Sequence, residues 1–487
     1  MRTDLPTFRA SLRLKMSAQK TSWFLFFDKG DEVLALPSWA APRILIVSRS
    51  LRQRWRDSAA FYPAFRFRAR LVKLVVRTAA AFFPRLFLRQ SRKDAGGTKY
   101  RLAKFLNHTF PSFKQSAIAY SLFSDYFIST GILAADEYVD CADRRGQLTD
   151  LLRNWFPQTD RVVLVAGAAS DPKQKLVAKL VDQGGKMVGF VKFGEKPLAR
   201  QRIETEAEIL QSLPAGCGPC FQGVEKSEPY SCFAMSAVDG KMPEAKLPAS
   251  VDSYQLSAVR EYLERLRISD VTFGVDDHPA IMRIRKEVAG GGWQVASDPR
   301  QPSTINEQLD SLLEPLREQR WPLVIQHGDF TPWNVLRISE GRRLKVEDGS
   351  LSSVVSHQSS ELCAIDWEEG TTEGFPHFDF IYYILQTAYF MHHWSAAQAS
   401  AYARDVLSSQ LSVDRDCPTT TNYQPSTEPF SVPSHPSSVI SSLIKLAALD
   451  AWLAGERGGL SGKPLQQFRL SIVNFSAAGG SARGRKT

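Results

Sequence analysis

Cysteine is scarce. Six residues in a chain of 487 cannot staple a fold of this length, which excludes a disulfide scaffold and points to a reducing compartment. Acidic residues are missing from the start of the chain. Residues 1–110 hold 23 basic against 6 acidic residues, a local charge of +17, while the remaining 377 carry −7. An uninterrupted apolar run is missing there too: the opening MRTDLPTFRASLRLK scatters charges where a secretory signal needs an apolar core. The most apolar segment, Leu71 to Phe83, is broken by Lys73 and Arg77 and falls short of the ~20 residues that span a bilayer. No transmembrane helix is expected. The expected location is cytoplasmic, peripheral to a membrane if the basic arm binds one.

What is present is ordinary for a globular protein. Hydrophobic residues make 43% and charged residues 23% of the chain, which excludes wholesale disorder, and the length suits two or three domains. Cys217-Gly-Pro-Cys220 has the spacing of a redox pair, but it follows a helical run where the redox reading wants a strand. It reads as a turn.

Residues 1–155 read as a separate basic α/β region of unknown role. Trp23–Phe27, Val33–Leu36 and Arg43–Val47 are short β-like runs between turn signals. From Arg66 to Arg92 a helical pattern interleaves basic residues with Phe and Leu. Its simplest role is a solvated face on a docking helix. A sharper one is contact with an anionic surface such as a membrane. Nucleic acid is not the expected partner.

The texture changes near 160. Val162–Val165, Lys175–Val181 and Met187–Lys192 are strand-like runs, the last two joined by the hairpin signal Asp182-Gln-Gly-Gly185. A helix is expected over 199–213 and a further strand over 231–238. Beyond 240 the chain reads as mainly helical, with candidates over 252–268, 303–318, 378–393 and 437–453. Ser-rich residues 346–360 and the Ser/Thr/Pro-rich segment 412–438 read as surface insertions, and 479–487 as a basic tail.

Chemistry concentrates in two places. The apolar run Pro322–Gln326 leads into His327-Gly-Asp-Phe-Thr-Pro-Trp-Asn334, and Leu362–Ile365 leads into Asp366-Trp-Glu368. Singly, each of these residues reads as a polar turn or a loop cap. Together, two buried strands deliver Asp329, Asn334 and Asp366 to loops that can converge on a ligand. Phosphoryl transfer from ATP wants this set: Asp329 to take or orient the proton of an attacking hydroxyl, and Asn334 and Asp366 to hold Mg²⁺ against the phosphates. The five-residue offset from Asp329 to Asn334 matches the kinase catalytic-loop spacing.

With these motifs the sequence resembles the aminoglycoside phosphotransferase/choline kinase family, the small-molecule branch of the protein-kinase-like fold. His327-Gly-Asp-x-x-Pro-x-Asn334 and Ile365-Asp-Trp-Glu368 carry the resemblance, and Gly374-Phe-Pro-His-Phe-Asp379 resembles the segment whose Asp supports the loop. It covers about 160–460. The resemblance implies an α+β fold with two lobes: an antiparallel-sheet N-lobe over 156–240 that clamps nucleotide, and a mainly helical C-lobe over 241–487 that holds the catalytic and acceptor sites. Lys192 would then contact the α- and β-phosphates and pair with a helix Glu. The buried stripe Ile203, Ala207, Leu210 and Leu213 places Glu206 inward and Glu204 and Glu208 off the face, so Glu206 is the choice. The loop 167–174 would cover the phosphates; it lacks G-x-G-x-x-G and offers only Ser170 as a phosphate contact. Residues 233–239 would be the adenine hinge.

Departures from protein kinases narrow the acceptor. Asp329 lacks the following Lys of enzymes that phosphorylate proteins, Asp366 is not followed by Phe-Gly, and no Ala-Pro-Glu segment follows. Residues 367–487 hold 10 acidic and 9 basic residues, too balanced for the acidic pocket a polycation needs. The expected activity is an ATP- and Mg²⁺-dependent kinase of a small-molecule or glycan hydroxyl. The alternative is a catalytically idle kinase-like module that binds nucleotide or a partner, or a peripheral adaptor at an anionic surface.

Overall fold

A computed structural model describes residues 25–28, 31–36, 43–60, 67–84, 148–166, 171–251, 253–291, 305–338, 362–412 and 437–474. They fall into two compact units: one runs to residue 204 and includes 221–237, and the other comprises 205–220 and the residues from 238 onward. An antiparallel sheet builds the first unit and helices dominate the second, the α+β make-up expected from the sequence.

The first unit contains β1 (Val33–Leu36), β2 (Ile44–Val47), α1 (Leu51–Asp57), α2 (Phe67–Phe82), α3 (Thr149–Trp155), β3 (Arg161–Ala166), β4 (Leu176–Val181) and β5 (Met187–Gly194). It continues into α4 (Pro197–Ser212), whose second half belongs to the other unit, and adds β6 (Phe221–Ser227) and β7 (Tyr230–Ser236). The seven strands form one antiparallel sheet in the order β1-β2-β3-β4-β5-β7-β6. Alternation sorts their side chains onto two faces. Val33, Leu45, Val162, Leu164, Ala178 and Val191 pack with Phe26, Phe27, Leu152 and Phe156 on one side. Leu34, Leu36, Ile44, Ile46 and Val163 meet Val76, Ala79 and Ala80 of α2 on the other. Those three α2 residues follow the i, i+3, i+4 spacing of a helix stripe.

This corrects the boundary drawn at 155. β1 and β2 are not a separate domain: Ile44 pairs with Val165 and Ile46 with Val163, so residues 33–47 extend the same sheet that carries Lys192. Arg161 of β3 also forms a buried ion pair with Asp57 of α1, Nε to Oδ2 at 2.9 Å. Texture misled because charge, not apolar pattern, marks the first 110 residues, and a short β-run is silent about its partner. Leu25 and Phe26 form a helical turn rather than part of a strand. The expected strands over 162–192, the hairpin at 182–185 and the helix from 199 lie where their patterns place them.

The second unit holds β8 (Gly240–Lys241), α5 (Tyr254–Glu264), β9 (Arg267–Gly274), α6 (Pro279–Gly291), α7 (Ile305–Leu313), β10 (Arg320–Gln326), β11 (Val335–Ile338), β12 (Leu362–Ala364) and β13 (Thr371–Gly374). Helices α8 (Phe378–Thr387), α9 (Ala396–Ser412), α10 (Ser437–Arg457) and α11 (Pro464–Val473) complete it. Two small sheets, β13-β10-β9 and β12-β11-β8, hold the loops of interest. The helix expected over 252–268 stops at Glu264, because Arg267–Gly274 pairs with β10 instead. Helix α10 is long and apolar enough to cross a membrane by length and composition, which its interspersed serines concealed, and 72% of its apolar window is buried within the protein. The segments 346–360 and 413–436 and the tail 479–487 lie outside the described residues.

Candidate active site

Strand β10 ends at Gln326, and the chain then turns sharply through Gly328, whose φ of +77° suits glycine. A Cβ there would lie 2.5 Å from the carbonyl oxygen of Glu369. The turn is pinned from α8. Asp379 accepts from the backbone N–H of His327 at 2.6 Å and of Gly328 at 3.1 Å. Burial pushes the Asp379 carboxyl up to about 7, against the pull of those two N–H groups. This is the supporting role that its motif implied. His327 is fully buried; Nε2 lies 2.9 Å from the Ile365 carbonyl, and Nδ1 accepts from the Asp329 N–H at 3.2 Å. The histidine therefore ties the Asp329 loop to the Asp366 strand.

Asp329 is bonded on both carboxylate oxygens. Tyr382 of α8 donates its hydroxyl to Oδ1 at 3.1 Å, and Asn334 donates Nδ2 to Oδ2 at 3.0 Å. Arg469 of α11 donates in turn to the Tyr382 oxygen at 3.1 Å. Burial is the main force on Asp329 and pushes its carboxyl up to about 6; the Tyr382 bond opposes it, and the charge of Asp366 adds to it. Asn334 lies at the end of a helical turn, Pro332–Asn334, and its carbonyl accepts from Ile365 at 2.8 Å.

Asp366 follows β12 with φ +69°, a left-handed conformation that a non-glycine residue holds only where its surroundings impose it. Its carboxylate lies with those of Glu206 and Glu368, one oxygen of each within 4.8 Å of the others. Glu206 is 1% exposed, as the α4 stripe predicted, and also accepts from the Trp367 N–H at 3.2 Å. Glu204 is half-buried and bonded by Ser231, and Glu208 is exposed. Three carboxylates form a hard oxygen donor set, which fits a divalent ion such as Mg²⁺.

Lys192 lies buried in β5, paired with Val177 and Phe233 in the sheet unit. Ser170 lies outside the described residues. The placing of Asp329, Asn334 and Asp366 in loops that meet, the inward position of Glu206 and the Asp379 support were readable from motifs and helix periodicity. The bonds of Asn334 and Tyr382 to Asp329, the place of Arg469, and the grouping of Glu206 and Glu368 with Asp366 were not. Tyr382 is three residues beyond Asp379 on α8, hence on the same helix face, which is a usable signal. Arg469 lies more than 80 residues further on, and nothing in its sequence points back. The Cys217–Cys220 segment lies in irregular chain after a turn, and among the described residues neither cysteine forms a disulfide.

No family model and no curated protein matches the chain. Solved structures do. Aminoglycoside phosphotransferase APH(4)-Ia is 15% identical and covers 68% of this chain and 99% of its own, at a TM-score of 0.40. A putative fructosamine-3-kinase from Haemophilus somnus is 11% identical over 67% of this chain and 95% of its own, at 0.37. Plasmodium vivax ethanolamine kinase is 9% identical over 72% and 92%, at 0.41. All three are named as small-molecule phosphotransferases, the class that the motifs resemble. At these values the likeness is one of general make-up only.

Proposed function

We propose that the protein is an ATP- and Mg²⁺-dependent phosphotransferase acting on a hydroxyl of a small molecule or glycan, with Asp329 as the base. The observation that carries this is the Asp329 carboxylate, held on both oxygens and felt by the charge of Asp366, which in turn is grouped with Glu206 and Glu368. A base raised to about 6 is mostly ionised at neutral pH yet still basic enough to take a proton. The acceptor O–H gives its proton to Asp329 as its oxygen bonds to the γ-phosphorus. The bond from that phosphorus to the β–γ bridging oxygen breaks, and ADP leaves.

Asp366, Glu206, Glu368 and Asn334 would hold Mg²⁺, which when bound neutralises phosphate charge. Lys192 and Ser170 are assigned to the phosphates by resemblance, as is the pairing of Lys192 with Glu206. Calorimetric titration of the full chain with ATP, with and without Mg²⁺, is the test. Binding should require the metal. Absence of binding in both conditions overturns the reading.

A further inference from the structure

Arg469 of α11 is a buried guanidinium, 5% exposed, and among the described residues no carboxylate pairs with it. A buried charge without an opposite partner is costly, so the arginine needs a reason to be there. Its two ends divide the work. Nη1 donates to the Ala451 carbonyl of α10 at 2.8 Å and to Oε1 of Gln466, one turn earlier on α11, at 2.9 Å. Gln466 is fixed in turn, because its amide donates to the Trp452 carbonyl and to Glu456, each at 2.8 Å. Nη2 leaves this anchorage and donates to the Tyr382 oxygen at 3.1 Å.

Donor counting then orients the tyrosine. A guanidinium carries only donors, and a phenol has a single hydrogen. With Arg469 on its oxygen, Tyr382 accepts there and turns its own hydrogen to Asp329 Oδ1 at 3.1 Å. The arginine charge also polarises the phenol, which makes it a stronger donor. The negative charge at the far end of this chain of bonds is the Asp329 carboxylate, whose other oxygen is held by Asn334. A staple that only joined α10 to α11 would need Nη1 and nothing more.

We propose that Arg469 and Tyr382 are positioning residues for the base: an arm anchored on α10 and α11 that fixes the orientation of the Asp329 carboxylate. Arg469 acts only through Tyr382, since its remaining bonds go to Ala451 and Gln466. The inference rests on the proposed phosphotransfer for the reaction that Asp329 serves.

The test measures Mg-ATP affinity by calorimetry and ATP turnover for the full chain, Asp329→Asn, Tyr382→Phe, Arg469→Met and the double variant of the last two. Tyr382→Phe and Arg469→Met should each slow turnover ~10-fold or more at unchanged Mg-ATP affinity, because misplacing a reacting group by ~1 Å costs on the order of 10²-fold. The double variant should be no slower than Tyr382→Phe alone, since the arginine has no other route to the base. Arg469→Lys keeps the charge and one donor and should recover part of the rate; it also replaces the methionine variant if that one does not fold. Losses that multiply in the double variant, or Mg-ATP affinity that falls in step with turnover, would mark a merely structural role and overturn the proposal. A slow Asp329→Asn beside Tyr382→Phe and arginine variants that match the parent would leave the base standing and remove the arm. A parent that ignores Mg-ATP, or an Asp329→Asn variant that turns over like the parent, would sink the phosphotransfer reading itself, and the arm with it.

Discussion

Asp329 answers to opposing demands. Burial favours its neutral form, while the bonds from Tyr382 and Asn334 favour the anion that a base must be. A proton acceptor works only when deprotonated, so the transfer rate should rise tenfold per pH unit on the acid side and level off above it. The bend should fall at or below about pH 6, since a divalent cation beside Asp366 lowers the value further. A pH–rate profile of ATP turnover checks this; a bend above neutrality would contradict it. The two aspartates should also fail differently. Asp329→Asn keeps the shape and loses the acceptor, so Mg-ATP affinity should survive while turnover falls ~10²–10⁴-fold. Asp366→Asn removes a proposed metal ligand, so affinity and turnover should fall together. Calorimetry and turnover on the same preparations separate the cases.

At the scale of elements, the Gly328 turn is the most constrained piece of the site. Its positive φ and the Glu369 carbonyl leave no room for a side chain. Gly328→Ala should cost roughly 1–3 kcal/mol of stability and displace Asp329, read as a lower melting temperature with lost turnover. The connection after β11 should behave in the opposite way. Because β11 and β12 pair antiparallel, Val335 with Ala364, a short turn can join them. Replacing 346–360 by four residues should leave Mg-ATP affinity nearly unchanged.

Helix α2 raises a separate expectation. Leu74 and Phe82 stand about half exposed on a helix that also carries Arg70, Lys73 and Arg77. Anionic vesicles should co-sediment with the protein at low salt and release it at high salt; indifference to vesicles at both would refute surface binding.

For the molecule as a whole, the sheet changes what a truncation means. Starting the chain at 156 removes β1 and β2, the helices α1, α2 and α3, and Asp57, one of the partners of buried Arg161. Arg161 would keep Asp160 and the Asp182 carbonyl as acceptors, but β3 would become an unpaired edge and the apolar faces of the sheet would lose their cover. The truncated protein should therefore lose cooperative unfolding in the sheet unit, which a thermal melt followed by circular dichroism would detect. An unchanged melt would restore the separate N-terminal domain.

Much of the candidate site was legible in the sequence: Asp329, Asn334 and Asp366 lie in loops that short apolar strands announce, Asp379 lies in a motif of its own, and the inward position of Glu206 followed from a helical stripe. Such features are local, and local periodicity and spacing record them directly. What only the tertiary structure decided was who meets whom at a distance. It set β2 against β3, brought Tyr382 to Asp329 and Arg469 to Tyr382, and placed Glu206 with Asp366. These depend on strand pairing and helix packing across more than 50 residues, and a single sequence carries no signal of which buried faces come together.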